Sequence, residues 1–262
     1  MHMTISQVMQ IVQIMKGDAM MTYKDIPRIN GTLRAKSIQM PEVIWSAKGM
    51  VVLGRRIKSC IFTTDIAIIR NCNADAVLAV YPFTPQQIIN TTIINTASIP
   101  VFCGVGGGTT QGVRTALIAK DAEADGAYGV VVNSPMKNGN IEMIKRVIDI
   151  PVIATVVNEN TDIEARLDAG ASILNVSAAA KTPELVRHIR AEFPGVPIIA
   201  TGGPTDDTIR ETIAAGANTI SYTPPGLDDI FSAMMTEYRK EAARVDSPEE
   251  KEMILEEMLE LI

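Results

Sequence analysis

The sequence predicts an α/β fold, a single (β/α)8 barrel, and three observations carry the prediction. Three apolar runs are each entered through a proline, at residues 99–104 (IPVFCG), 150–155 (IPVIAT) and 196–201 (VPIIAT). A strand's first residue tolerates the missing N–H. A second kind of apolar run alternates with them, at residues 74–81, 126–133, 170–177 and 216–223, each after a helix-like stretch and three of them opening on Gly where a helix must stop. The composition is 47% hydrophobic but only 4% aromatic, which suits one large core of aliphatic side chains. Strands alternating with helices imply right-handed βαβ units and a parallel sheet.

In chain order, residues 5–16 (ISQVMQIVQIMK) place Ile5, Val8, Met9, Val12 and Met15 on one side of a helix. Residues 17–54 give mixed signals, with a short extended piece at 50–53. Residues 58–64 (KSCIFTT) supply the first barrel strand, and the two alternating sets bring the count to eight. A Rossmann sheet would want G-x-G-x-x-G after that first strand, and none is there. After the eighth strand, residues 227–244 read as a long helix. Ser247-Pro-Glu-Glu250 is then a capping box with proline at the first helical position, opening a last helix with Ile254, Met258 and Leu261 at helical spacing. The expected organisation is an N-terminal extension over 1–57, the barrel over 58–245 and an acidic amphipathic helix over 246–262.

The net charge of −6 is concentrated at one end, since residues 247–262 hold six Glu against one Lys. The remainder is nearly neutral, so no nucleic-acid partner is expected. Cys60, Cys72 and Cys103 show neither CxxC spacing nor an even framework, which points to a reducing, cytoplasmic setting. The apolar run at 5–15 is interrupted by Ser6, Gln7, Gln10 and Gln13 and is too short for a membrane span. The two end helices carry apolar faces that either cover the barrel or join subunits, and a homo-oligomer is expected.

Active sites of such barrels lie at the C-terminal ends of the strands. Internal alignment then picks out the mouth: Tyr81, Asn133, Ser177 and Thr223 in one set, Gly104, Thr155 and Thr201 in the other, around one opening. The ring is rich in hydroxyls and amides. Asp65, Lys137, Glu159 and Lys181, in the following loops, are the candidates for acid, base or Schiff-base work. With only His2 and His188, neither near a strand end, a Ser-His-Asp triad or His-ligated metal is not expected. Cys103 lacks a histidine to activate it and reads as a small buried residue.

Two loops could hold an anion. Residues 104–112 (GVGGGTTQG), with Gly106, Gly107 and Gly108, present backbone N–H groups ahead of a helix. Gly202-Gly203, taken with Ser221 and Thr223, corresponds to the two loops that hold phosphate in many barrels. The run at 200–225 (ATGGPTDDTIRETIAAGANTISYTPP) resembles the last quarter of the phosphate-binding (β/α)8 barrels, the group of ribulose-phosphate-binding enzymes, thiazole-synthase-like proteins and keto-deoxy-phosphogluconate-type aldolases. With FTTDIAIIRN, AVYPFTP and GVGGGTTQG, the chain also resembles bacterial barrel proteins labelled hydrolases. The resemblance implies a small, sugar-phosphate-like substrate and isomerase- or lyase-type proton transfer. It departs at strand six, ILNVS at 173–177, where the aldolase lysine is missing, and after strand eight, where Pro224-Pro225 remove donors and Asp228-Asp229 repel phosphate. Two other readings stand beside it. One is a hydrolase in which Asp65 and Glu159 hold Mg²⁺ or orient water, no other cofactor being expected; the other is a non-catalytic binding or assembly protein.

Overall fold

The computed structural model describes residues 38–245. The helix expected over 5–16 and the one opening at Ser247 lie outside the described residues, and so do the apolar faces on which the expectation of a homo-oligomer rests.

The described chain opens with a 3-10 turn, Glu42–Ser46, and an antiparallel hairpin of β1 (Met50–Val52) and β2 (Arg55–Ile57). Eight parallel strands follow: β3 (Ser59–Phe62), β4 (Ala76–Ala79), β5 (Val101–Gly106), β6 (Gly129–Val132), β7 (Val152–Val156), β8 (Ile173–Val176), β9 (Ile198–Thr201) and β10 (Thr219–Tyr222). They close into a barrel in chain order, β10 pairing with β3 through Ser221 beside Cys60. A helix follows each strand: α1 (Ile66–Arg70), α2 (Gln87–Thr96), α3 (Val113–Ala124), α4 (Asn138–Lys145), α5 (Ile163–Asp168), α6 (Thr182–Glu192), α7 (Asp206–Ala214) and α8 (Leu227–Val245). The sequence prediction of an α/β barrel holds. Among the described residues no helix is long and apolar enough to cross a membrane.

Local chemistry sets the boundaries. Asp65 caps α1 by accepting from the Ile68 N–H at 3.0 Å, and Thr205 caps α7 in a reciprocal box with Thr208. Gly126, Gly170 and Gly216 follow α3, α5 and α7 with φ of +100°, +107° and +111°, the left-handed step that ends a helix. One boundary differs from the sequence reading: β5 does not stop at Gly104 but runs on to Gly106, which pairs with Val132 across a bulge. The reason is close approach, because a Cβ on Gly106 would stand 2.6 Å from Thr115 Oγ1 on α3.

The strands alternate between two cores. Outward residues such as Val77, Val130, Leu174 and Ile198 pack under the helices. Inward residues Leu78, Phe102, Val131, Ile153, Ile173 and Ile199 form a second cluster with Met50, Val52 and Ile57 of the hairpin. The hairpin thus closes the N-terminal opening, held there by Thr219 Oγ1 donating to the Ile57 carbonyl at 2.7 Å and Gly49 N to the Asn218 carbonyl at 2.8 Å. Phe102 fits because the position beside it is Gly129, where a Cβ would come within 3.1 Å of the ring. With one end filled by apolar side chains, the open end of the barrel is the C-terminal one.

Candidate active site at the barrel mouth

Two residues further along each strand, the inward row changes character. Above Val131, Ile153, Ile173 and Ile199 stand Asn133, Thr155, Asn175 and Thr201. Same-face residues recur at every second position, so apolar filling below and polar groups above share one face. A cavity of about 380 Å³ opens there, lined by Phe62, Val80, Tyr81, Asn133, Thr155 and Asn175 together with Pro82, Ser134, Val157 and Ser177. Of the four positions expected to ring a single opening, Tyr81, Asn133 and Ser177 line this cavity.

A chain of hydrogen bonds runs across the cavity. Asn175 Nδ2 donates to Thr155 Oγ1 at 3.3 Å, and Thr155 Oγ1 donates to Asn133 Oδ1 at 3.2 Å. Beside it Thr201 Oγ1 donates to Ser177 Oγ at 3.2 Å. Asn175, itself only 7% exposed, keeps its Oδ1 buried without a partner. Such an orphan is costly unless a ligand or water engages it. Among the described residues Tyr81 is the only ionisable one on the lining, and its phenol oxygen accepts from the Gln86 N–H at 2.8 Å.

Two further compartments adjoin the strand ends. One, of about 250 Å³, shares Val80, Tyr81, Pro82, Asn133 and Ser134 with the mouth and is floored by Gly104 and by Gly106 to Thr110. In this loop Gly107 N and Thr110 N each donate to the other residue's carbonyl, at 2.9 and 3.1 Å, whereas among the described residues the Gly108 and Thr109 N–H groups have no protein acceptor. The other, of about 370 Å³, is lined by Thr201, Gly203, Ser221 and Thr223 together with Pro204, Tyr222, Pro224 and Pro225. Thr223, the fourth ring position, faces this compartment. Gly202 is buried, its missing Cβ making room for Ile209 and Ile220 rather than for a ligand.

None of the four candidate acids and bases lines the mouth cavity itself. Asp65 is half-buried and engaged in its cap; Lys137 is exposed just before α4. Glu159 and Lys181, both exposed, line a groove of about 180 Å³ with Asn158, Glu184, Leu185 and His188, and this groove shares Val157 with the mouth cavity. His188 is exposed and lies 3.6 Å from Glu192. Cys103, on the outer face of β5, is buried, and loss of water with the nearby Asp125 charge pushes its thiol from an ordinary 9.0 up to about 12. That excludes a resting thiolate near neutral pH.

Among the described residues the mouth offers hydroxyl and amide oxygens but no carboxylate. Among the described residues no group of three His, Cys, Asp or Glu side chains could hold a metal ion. A divalent cation such as Mg²⁺ takes carboxylate oxygens to balance its charge, so this donor set does not fit a protein-held Mg²⁺. Sequence reasoning missed Asn175. Its signal was present, an amide at an inward position of the otherwise apolar ILNV strand two residues before Ser177.

No protein-family model and no curated protein matches the sequence. Solved structures do match in fold. A 2,3-dimethylmalate lyase, described as a PEP mutase/isocitrate lyase superfamily member, superposes with a TM-score of 0.56 at 14% identity, over 84% of this chain and 95% of that one. A phosphoenolpyruvate phosphomutase from Streptomyces platensis subsp. rosaceus gives 0.56 at 16%, over 83% and 94%. A phosphonopyruvate hydrolase in complex with oxalate and Mg²⁺ gives 0.53 at 16%, over 79% and 93%. At such identities the likeness is one of fold. It agrees with the barrel class of the sequence resemblance and singles out no family within it.

Proposed function

We propose that this chain is a cytoplasmic barrel enzyme acting on a small phosphorylated metabolite by isomerase- or lyase-type proton transfer, with the anionic group on residues 106–110 and the rest of the ligand in the mouth. The observation that carries the reading is continuity: the compartment over the unengaged Gly108 and Thr109 N–H groups shares five residues with the polar mouth. Unpaired backbone N–H groups bind an anion without a cationic side chain. The mutase, lyase and hydrolase activities of the fold neighbours support an enzyme at this coarse level. Tyr81, the ionisable group on the lining, is the residue to give or take a proton.

Orthophosphate tests the placement. In crystals soaked with it, density is expected against Gly107 to Thr109; density confined to Gly203 and Thr223 would move the anion to the other loop, and no density at either would end the phosphate reading. A Tyr81→Phe variant is expected to lose turnover of a metabolite mixture at least tenfold. The scarcity of ionisable groups favours a second reading, a non-catalytic binding protein. Binding without any turnover in the unaltered protein would select it.

A further inference from the structure

We infer that Asn133 offers the ligand an amide N–H whose direction is set by the buried chain from Asn175 through Thr155, and that the group received there is an acceptor-only oxygen, a carbonyl or a carboxylate. The inference rests on the reading that places the anionic group at residues 106–110, but its own argument comes from the mouth. Asn133, Thr155 and Asn175 stand side by side at or just past the ends of β6, β7 and β8. The Asn175 Oδ1 is sealed from the cavity, so no ligand touches it. What Asn175 does is fix a polarity. With its Nδ2 donating to Thr155 Oγ1 at 3.3 Å, one oxygen is left without a partner. Reversing the amide would put Nδ2 in the sealed position with both N–H groups unpaired, and buried orphan N–H groups are rarer than under-satisfied carbonyls. Thr155 Oγ1, accepting from Asn175, has its single proton left for the Asn133 Oδ1 at 3.2 Å. The Asn133 oxygen is thereby held on Thr155, and its Nδ2 lies on the other side of the amide.

That nitrogen is open to a ligand. Asn133 is half-buried and lines both the mouth and the β5 compartment; its Nδ2 donates to nothing among the described residues and is not one of the unpaired side-chain atoms sealed from solvent. The hydrogens left unused around it converge on the same space. The Ser177 and Thr201 hydroxyls share one hydrogen bond at 3.2 Å, so one of their two protons stays free. The Tyr81 phenol accepts from the Gln86 N–H and keeps its own proton to give. A carbonyl or carboxylate oxygen accepts from two or three such donors at once. An ammonium group would face the Asn133 N–H and, among the described residues, find no carboxylate on the lining. The bond from Thr155 also polarises the Asn133 amide, which strengthens its N–H as a donor. Thr155 and Asn175 are positioning residues, and Asn133 is the residue that touches the ligand.

Titration calorimetry on the full chain with orthophosphate, pyruvate, phosphoglycolate, dihydroxyacetone phosphate and O-phosphoethanolamine tests the assignment. Phosphoglycolate, with a carboxylate, or dihydroxyacetone phosphate, with a carbonyl, is expected to bind about tenfold more tightly than orthophosphate, and the tighter of the two names the group. O-phosphoethanolamine, with an ammonium in the same place, should gain nothing. Thr155→Val, close in shape, should cancel the gain while orthophosphate affinity stays within about twofold, and Thr155→Ser should keep it. A merely structural role for Thr155 would leave that ratio of affinities unmoved. Asn133→Ala, read as the same ratio, serves if Thr155→Val does not fold. The inference is overturned if the ammonium compound gains as much as the other two, if the gain survives in whichever of these two variants folds, or if Thr155→Ser loses it as Thr155→Val does. Pyruvate binding that Thr155→Val weakens, without orthophosphate binding, would remove the anion subsite and keep the mouth assignment; orthophosphate binding with no gain from either oxygen group would do the reverse.

Discussion

The chain leaves β5 and β9 through glycine pairs, and the two exits differ in charge and in free donors. After β9, α7 opens on Asp206-Asp207, and after β10, α8 opens on Asp228-Asp229, so both helix starts already carry negative charge. Pro204, Pro224 and Pro225 remove N–H groups from the same compartment. After β5, no acidic residue stands in the first turn of α3, and Gly108 and Thr109 present N–H groups without acceptors. The missing Cβ atoms also serve different ends. That of Gly202 makes room for Ile209 and Ile220, whereas no atom of the described residues stands within 4 Å of a Cβ at Gly108. A Gly-Gly pair at a strand end is thus no evidence of an anion site until its neighbours are known. The sequence resemblance points to β9; local charge points to β5.

Substitutions can break this contrast, the largest effect first. Gly107→Ala puts a Cβ 2.6 to 2.9 Å from Asn133 backbone and Cβ atoms at a φ of +127°. It should cost about 3 kcal/mol in urea unfolding and displace Asn133 from the mouth; a cost below ~1 kcal/mol would show the loop to be pliable rather than held. Gly202→Ala meets Ile209 Cγ1 and Ile220 Cγ2 at 2.8 Å, branch atoms of two buried isoleucines. Its expected cost is roughly 1–2 kcal/mol, with orthophosphate affinity unchanged, since this glycine answers to packing. Gly108→Ala meets no atom within 4 Å but holds a φ of +55°. About 1 kcal/mol of strain is expected, together with an orthophosphate Kd raised about fivefold as the methyl enters the cavity. An unaltered Kd would take the anion off this loop.

The smallest effect sharpens the comparison. Asp206→Asn with Asp207→Asn removes favourable charge at the start of α7, costing roughly 0.3–1 kcal/mol per residue, and should leave orthophosphate binding alone. A rise in affinity that fades at high salt would instead put the anion at β9. Beneath the β5 loop, Cys103 holds its proton to about 12, against an ordinary 9.0 that applies once the chain unfolds. Stability from this group is full below pH ~9 and falls as pH rises toward 12, because only the unfolded thiol ionises in between. At pH 8 in native protein, half-buried Cys72 should therefore react first with a thiol reagent, and rapid modification of Cys103 would contradict its burial.

Much of the fold was legible in the chain because its cues are local. Proline entries, the glycines at 126, 170 and 216, and the Thr205 cap act within one turn of themselves, and the alternation of apolar runs leaves few ways to bury them other than a closed parallel sheet. Tyr81, Asn133 and Ser177 could be placed near one opening for the same reason, since strand ends are set by their own strands. The hairpin that fills the N-terminal opening was read only as a short extended piece, because its partners Phe102 and Ile153 are distant in sequence.

What the tertiary structure alone decided is how neutral groups complete one another across strands. Asn175 drew no reading from its own strand, and it is β7 and β6 that place Thr155 and Asn133 beside it and leave its oxygen without a partner among the described residues. Whether a glycine serves packing or leaves space, and whether a loop carries open donors, likewise depends on atoms brought in from other strands and helices. Backbone propensities act over a few residues and are written in order along the sequence; hydrogen-bond satisfaction, desolvation and steric room are set by neighbours that only folding brings together.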